Sequence, residues 1–472
     1  MKPSIALALA RSSSAADRRR ALLIAVSTAI AGGLLLAALH ILRLPAEIAA
    51  GAASQMPLSG SQQDVDLAPY LTDSGLRPGV VIGALLLTVP VLALTVQALR
   101  VGSVARDRRM ASLRLAGATP RDIRTIAAAE AGGAAIAGGL LTGPAYLFLW
   151  LLVGVLPPPG MRMLTTPDAL DLLAWALLVP LAAIAGALAG AVVHGSAVVE
   201  PLDVRRRERP SEPGRASIAV LIAGGALVLA GIVVAPLLRR HGAGELGLLV
   251  MAMVGLLLVA FAAGPRLVLA CARLLGRRHA SEALLASRRL RADPRSAGRV
   301  AGVLVVCGVA LGIEGVLVAE LLFDTGFGDD SGFYLTGYAM AALAVLVAAT
   351  VALLTLLVGA ADSLLDARRP LATLAALGVD ERGLVRVLAL QLSATAVPPI
   401  ALGAFLGGPL IALLVALSNG DQALGAAVRA FPPSSVTALV AALVLAIVAR
   451  VAARLLRSLI RAAVDPENLR VA

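Results

Sequence analysis

Lysine is nearly missing from this chain: of its 41 basic residues, only Lys2 is not an arginine. A P-loop needs Gly-Lys-Ser/Thr after a glycine-rich turn, and Schiff-base chemistry needs a lysine amine, so both are excluded. Cysteine is almost as scarce. Cys271 and Cys307 cannot supply a disulfide framework or a four-thiolate metal site, and both fall in or beside apolar stretches, where they read as buried inert thiols. The four histidines, His40, His194, His241 and His279, lie far apart and form no His-Glu-x-x-His, so they read as interfacial residues, not zinc ligands. Aromatic residues make up only 3%, and a net charge of +12 carried by arginines without interleaved aromatics argues against nucleic acid. Charged residues of all kinds amount to 15%, far below the usual quarter of a soluble domain.

What fills the 472 residues is apolar: 59% are hydrophobic, 46 are glycine, and mean hydropathy is +0.90. That Ala, Leu, Val and Gly mixture lets helices pack closely inside lipid, so the chain reads as all-α and polytopic. A bilayer core about 30 Å thick needs about 20 apolar helical residues. Ten stretches qualify: 21–42, 79–99, 126–155, 170–193, 216–238, 246–269, 300–322, 335–360, 384–417 and 436–456. The third and ninth are long and contain Pro144 and Pro398, Pro399 and Pro409, so a kink or a first turn at the membrane surface is expected there.

Arginine-rich segments stay on the cytoplasmic side. With a cytoplasmic N-terminus, all but six of the 41 basic residues fall inside, the exceptions being Arg43, Arg77, Arg162, Arg239, Arg240 and Arg429. Both termini are therefore expected in the cytoplasm, and the Ala- and Arg-rich usage with almost no lysine points to a GC-rich bacterial genome. The outer loops are acidic, with Asp64, Asp66 and Asp73 in one and Asp324, Asp329 and Asp330 in another. The longest, 43–78, is too short for a core of its own. The first span has no small-residue cleavage site close behind it and reads as an uncleaved anchor.

Self-similarity gives the next level of organisation. Residues 108–123 and 369–384, which follow spans two and eight, align without gaps, setting Leu113 against Leu374, Gly117 against Gly378 and Arg121 against Arg382. Downstream, Gly143-Pro144 matches Gly408-Pro409, Pro157 to Pro159 matches Pro432-Pro433, and Glu200-Pro201 matches Asp465-Pro466. Upstream, Arg11 and Arg18 match Arg288 and Arg295. The expected plan is a four-span unit (1–215), two linking spans (216–280) and a second four-span unit (281–472). An even number of intervening spans makes the two units parallel repeats about an axis along the membrane normal.

Each repeated segment has the pattern of a short helix, a turn and a long helix. Met110, Leu113 and Gly117 follow a helical stripe on a basic segment suited to a membrane surface or a partner's groove. Gly117 suits the left-handed position past a helix end, Thr119 an N-cap, Pro120 the first helical position, and Asp122 the third. In the other copy Gly378 ends one helix and Asp380 caps the next, with Glu381 in its first turn.

The pattern Arg-x-x-x-x-Leu-x-x-x-Gly, Arg108 to Gly117 and Arg369 to Gly378, between the second and third spans of a four-span unit resembles the FtsX-like permease domain of MacB-type ABC transporters. Both four-span units share the resemblance; both lack the family's Glu before the Leu, at Ala111 or Ser112 and at Ala372 or Thr373. The resemblance implies a non-enzymatic membrane subunit whose loops meet a dimer of separate ABC ATPase subunits on the cytoplasmic face. It gives Arg109, Met110, Leu113, Gly117 and Arg121, and Leu371, Leu374, Gly378 and Arg382, as the coupling residues. ATP is then the partner's ligand, and this chain holds no cofactor or metal.

Three polar residues stand within apolar spans. Glu314 lies near the centre of span seven, where an acid costs about 2.5–3.5 kcal/mol, and is a candidate for substrate or proton contact. Glu130 and its counterpart Gln391 are expected in the first turns of spans three and nine. Gly186-x-x-x-Gly190 and Gly403-x-x-x-Gly407 read as close-packing surfaces. An autonomous secondary transporter built on the Glu314 carboxylate is the alternative function. A membrane-embedded enzyme lacks paired acids or a nucleophile with its base.

Overall fold

The computed structural model describes residues 15–44, 67–68, 71, 77–98, 112, 115, 117–157, 162–195, 215–239, 245–292, 294–323, 331–419 and 423–465. Helices dominate: α1 (Ala15–Leu42), α2 (Arg77–Ala98), α3 (Pro120–Trp150, continued by a π-helical turn Leu151–Val155), α4 (Ala169–Gly195), α5 (Arg215–Arg239), α6 (Glu245–Leu275) and α7 (Ser281–Ala292). They are followed by α8 (Pro294–Phe323), α9 (Ser331–Asp366), α10 (Arg368–Ala376), α11 (Glu381–Asn419), α12 (Ala423–Leu455) and α13 (Arg457–Val464). Among the described residues the one β feature is an isolated bridge between Leu67 and Arg162.

Eight helices among the described residues, α1, α3, α4, α6, α8, α9, α11 and α12, are long and apolar enough to cross a membrane. The chain is an all-α, multi-pass membrane protein. Helices α2 and α5 occupy the other two stretches expected to span. Three helix starts differ from the apolar runs. Capped starts at residues 120 and 381 put Glu130 and Gln391 about three turns inside α3 and α11, not in first turns. Helix α12 begins at Ala423 and runs through Pro432 and Pro433, expected in an outer loop, because the alanine-rich run before them extends the helix.

The chain divides into two compact units, Met1–Arg206 and Arg207–Ala472. In the first, α1 packs against α2 and α3, and α3 against α4. Gly186 and Gly190 of α4 sit on Ala131, Ala135 and Ala127 of α3; a Cβ on Gly190 would fall 2.6 Å from the Ala127 carbonyl oxygen. Hydrogen bonds add to these small-residue contacts. Thr95 Oγ1 donates to Ser27 Oγ at 2.8 Å between α2 and α1, and Trp175 Nε1 donates to the Gly139 carbonyl at 2.9 Å between α4 and α3.

In the second unit α8 packs against α9 and α11, and α11 against α12, the same neighbour order as in the first. Helix α6 lies against α5 and α8, so the two linking helices belong to this unit's contacts. The α8–α11 crossing is backbone against backbone. A Cβ on Gly308 would fall 2.9 Å from the Ala404 nitrogen, and one on Gly403 2.9 Å from the Val309 nitrogen. At one end, Leu364, Leu371, Leu384, Leu388, Leu456 and Ile460 form a core that joins α9, α10, α11 and α13.

Candidate functional site

The two expected turns hold the described residues with left-handed glycine backbone: Gly117 at φ 94° and Gly378 at φ 93°. An L side chain costs about 1–2 kcal/mol in that region, which is why glycine occupies both. At Gly378 the N–H of Val379 donates to the Leu374 carbonyl at 3.1 Å and the N–H of Gly378 to the Ala375 carbonyl at 2.9 Å. Those two bonds make a Schellman ending for α10, and Val379 packs against the adjoining core.

Three residues after each glycine a long helix begins. Thr119 Oγ1 accepts from the Asp122 N–H at 3.3 Å while Asp122 Oδ2 accepts from the Thr119 N–H at 3.0 Å, a capping box with Pro120 in first position. Asp380 Oδ1 accepts from the Gly383 N–H at 2.8 Å in the second copy. Glu381, the first residue of α11, forms ion pairs with Arg457 and, at 3.4 Å, with Arg461 on α13. The second turn is thereby tied to the last described helix.

Arg109, Met110 and Leu113 lie outside the described residues. Gly117, Arg121, Gly378 and Arg382 are exposed, and Leu374 is half-buried. Leu371 departs from the expectation of a partner-facing stripe. Its side chain is fully buried among Leu364, Leu388 and Ile460, because α13 covers the apolar face of α10. Among the described residues, the large apolar side chains left open beside the turns are Leu115 and Leu377, 92% and 77% exposed, and neither stood out in the repeat because the alignment sets each against an alanine.

Sequence reasoning missed two buried polar clusters of the first unit. Arg20 on α1 pairs with Glu130 on α3 at 3.6 Å, their side chains 4% and 10% exposed. About 39 Å along α3 from the first turn, the α1 end meets the start of α4. There Asp171, 3% exposed, accepts from His40 Nδ1 at 2.7 Å and from the Tyr146 hydroxyl at 3.2 Å, and pairs with Arg43. Asp168 and Asp171 cap each other's N–H groups at 2.8 and 3.1 Å. His40, in the last turn of α1, is thus buried and bonded. Its spacing of three from Arg43, on one face at the end of a span, is the signal that pointed there. His40, Asp168 and Asp171 offer ligand atoms within 4.8 Å of one another, but the Arg43 guanidinium already occupies the cation's place on Asp171.

In the second unit, Glu314 Oε1 is buried with no hydrogen-bond partner. Gln391, the counterpart of Glu130, is half-buried, between Leu390 and the Leu392 core residue. A groove of about 880 Å³ separates α9 from α12, floored by Leu311, Leu392 and Ile400. Its two threonines bond their own helices, Thr350 to the Leu346 carbonyl and Thr437 to the Pro433 and Ser434 carbonyls, so the lining is hydrocarbon in character. Set against protein-family models, curated proteins and solved structures, the chain finds no match.

Proposed function

We propose that this chain is the membrane subunit of an ABC transport system in a bacterial cell membrane, with ten spans and both termini cytoplasmic. It couples ATP hydrolysis by a separate ATPase dimer to export of a substrate or to relay of force across the bilayer. One observation carries the reading. Two left-handed glycines, at φ 94° and 93°, each stand three residues before a capped helix that runs on as a span. A push on either turn acts at the end of a continuous helix of 31 or 39 residues, long enough to reach across the membrane. The FtsX-like resemblance of the same segments supplies the kind of partner, and the excess of arginine at this end of the spans supports a cytoplasmic position. The recurrence of one neighbour order in both units supports a duplicated four-span plan.

The contact surface is drawn around the exposed positions: Gly117, Arg121 and Leu115 at one turn, Gly378, Arg382 and Leu377 at the other. Leu115→Asp and Leu377→Asp alter side chains that are 92% and 77% exposed, so the fold is expected to be spared. Purified from its own cells, the wild-type chain is expected to bring an ATP-hydrolysing subunit with it, and the double variant to lose it. Retention of the subunit and its activity by the variant refutes the assignment.

A second reading, an autonomous proton-coupled transporter, is favoured by the unpartnered Glu314 oxygen. It predicts uptake into ATP-free vesicles driven by a pH gradient and abolished by Glu314→Gln.

A further inference from the structure

A second cavity of the Arg207–Ala472 unit, about 620 Å³, lies where the C-terminal ends of α6 and α12 meet the start of α11. Its lining changes character in the same direction on all three helices. On α6 and just beyond, Arg278 gives way to Leu275, Leu274 and Cys271 toward the membrane centre. On α11, Arg386 is followed inward by Ala389, Leu390, Ser393 and Val397. On α12, Arg454 and Arg450, one turn apart, are followed inward by Ala446.

Four arginines thus converge on one mouth, opposed by the single carboxylate of Glu282, which pairs with Arg386 at 3.1 Å. The stretch from Arg386 to Val397 covers about 16 Å of helix. That is roughly half of a hydrocarbon core about 30 Å thick, the depth of one leaflet. A site that is cationic at the headgroup level and hydrocarbon for one leaflet below it has the polarity of a single phospholipid.

We propose that this cleft binds an anionic phospholipid, its phosphate held by Arg278, Arg450 and Arg454 and its acyl chains laid along α6 and α11. Arginine suits the role because its planar fork donates two hydrogen bonds to phosphate oxygens. The lipid bridges the start of α11 to the ends of α6 and α12, and so clamps the hinge end of the unit. The inference stands on this cavity alone and does not need an ATPase partner.

The test uses the full chain in detergent, titrated with phosphatidylglycerol, phosphatidylcholine or inorganic phosphate, with bound lipid counted by native mass spectrometry. Phosphatidylglycerol is expected to bind saturably and the other two are not. At about 5-fold per arginine, Arg278→Gln, Arg450→Gln and Arg454→Gln together weaken binding on the order of 100-fold. The three Arg→Lys substitutions restore most of it, and Arg18→Gln, Arg121→Gln and Arg124→Gln in the first unit leave it unchanged. Equal binding of phosphatidylcholine, equal occupancy by free phosphate, or undiminished binding by the Gln variant overturns the proposal. A measurement on the unaltered protein guards against a variant that fails to fold: phosphatidylglycerol with a photoreactive acyl chain is expected to label 271–278 and 386–398. Labelling confined to other helices overturns it equally.

Discussion

The buried pair of Arg20 and Glu130 offers a quantitative test of how the first unit is held together. Glu130→Gln leaves the Arg20 guanidinium as a charge in the α1–α3 interface, with 4% of its side chain exposed. Breaking a buried pair by removing one partner costs about 3–5 kcal/mol. At 3.6 Å the contact is an ion pair longer than a good hydrogen bond, which places the loss at the lower end, about 3 kcal/mol. For a unit of this size that corresponds to a fall of roughly 6–12 °C in unfolding temperature. The aligned positions of the second unit carry Ala297 and Gln391, and Ala297 lies with Leu390 and Ala394 against an apolar cluster. Combining Arg20→Ala with Glu130→Gln therefore installs an arrangement the chain already uses. The double variant is expected to lose only about 1 kcal/mol, roughly 2–4 °C, less than either single variant. Unfolding of the detergent-solubilised chain, followed by helical circular dichroism, supplies the three numbers. If the single losses simply add in the double variant, the two charges are uncoupled and the argument fails.

Asp171→Ala strips His40, Arg43 and Tyr146 of a shared acceptor and should lower stability by about 3–5 kcal/mol, against a smaller loss for Asp171→Asn, in the same melting assay. Gly308→Leu places side-chain atoms against the α11 backbone and should cost at least about 1–3 kcal/mol, read as earlier reaction of buried Cys307 with a thiol dye on heating. Gly378→Ala meets nothing within 4 Å, so its cost is conformational alone, about 1–2 kcal/mol, and Gly117→Ala should match it; a neutral effect at both contradicts the left-handed turns. Glu381→Gln loses only partly exposed ion pairs with Arg457 and Arg461, and should leave the melting temperature nearly unchanged while raising hydrogen exchange in α13.

Local chemistry was legible in the sequence and distant pairing was not. Thr119-Pro120-x-Asp122 states its own cap, and Gly378 its own left-handed turn, because each depends on residues within one turn of helix. The apolar runs located the spans for the same reason. Glu130 read as an ordinary first-turn polar residue and Asp171 drew no notice, because their partners lie 110 and 131 residues away. Leu371 misled in the opposite way. Its helical stripe was real, but the stripe is covered by α13, an amphipathic helix whose docking no local pattern announces.

The α8–α11 crossing has a mechanical consequence. Where main chain rests on main chain there are no rotamers to exchange, so the two helices can neither slide nor roll past each other without losing the contact altogether. They form the keel of the second unit. Helices α9 and α12, held apart by a greasy furrow, are its two leaves. The furrow, lined by side chains, and not the crossing is where this unit has room to repack.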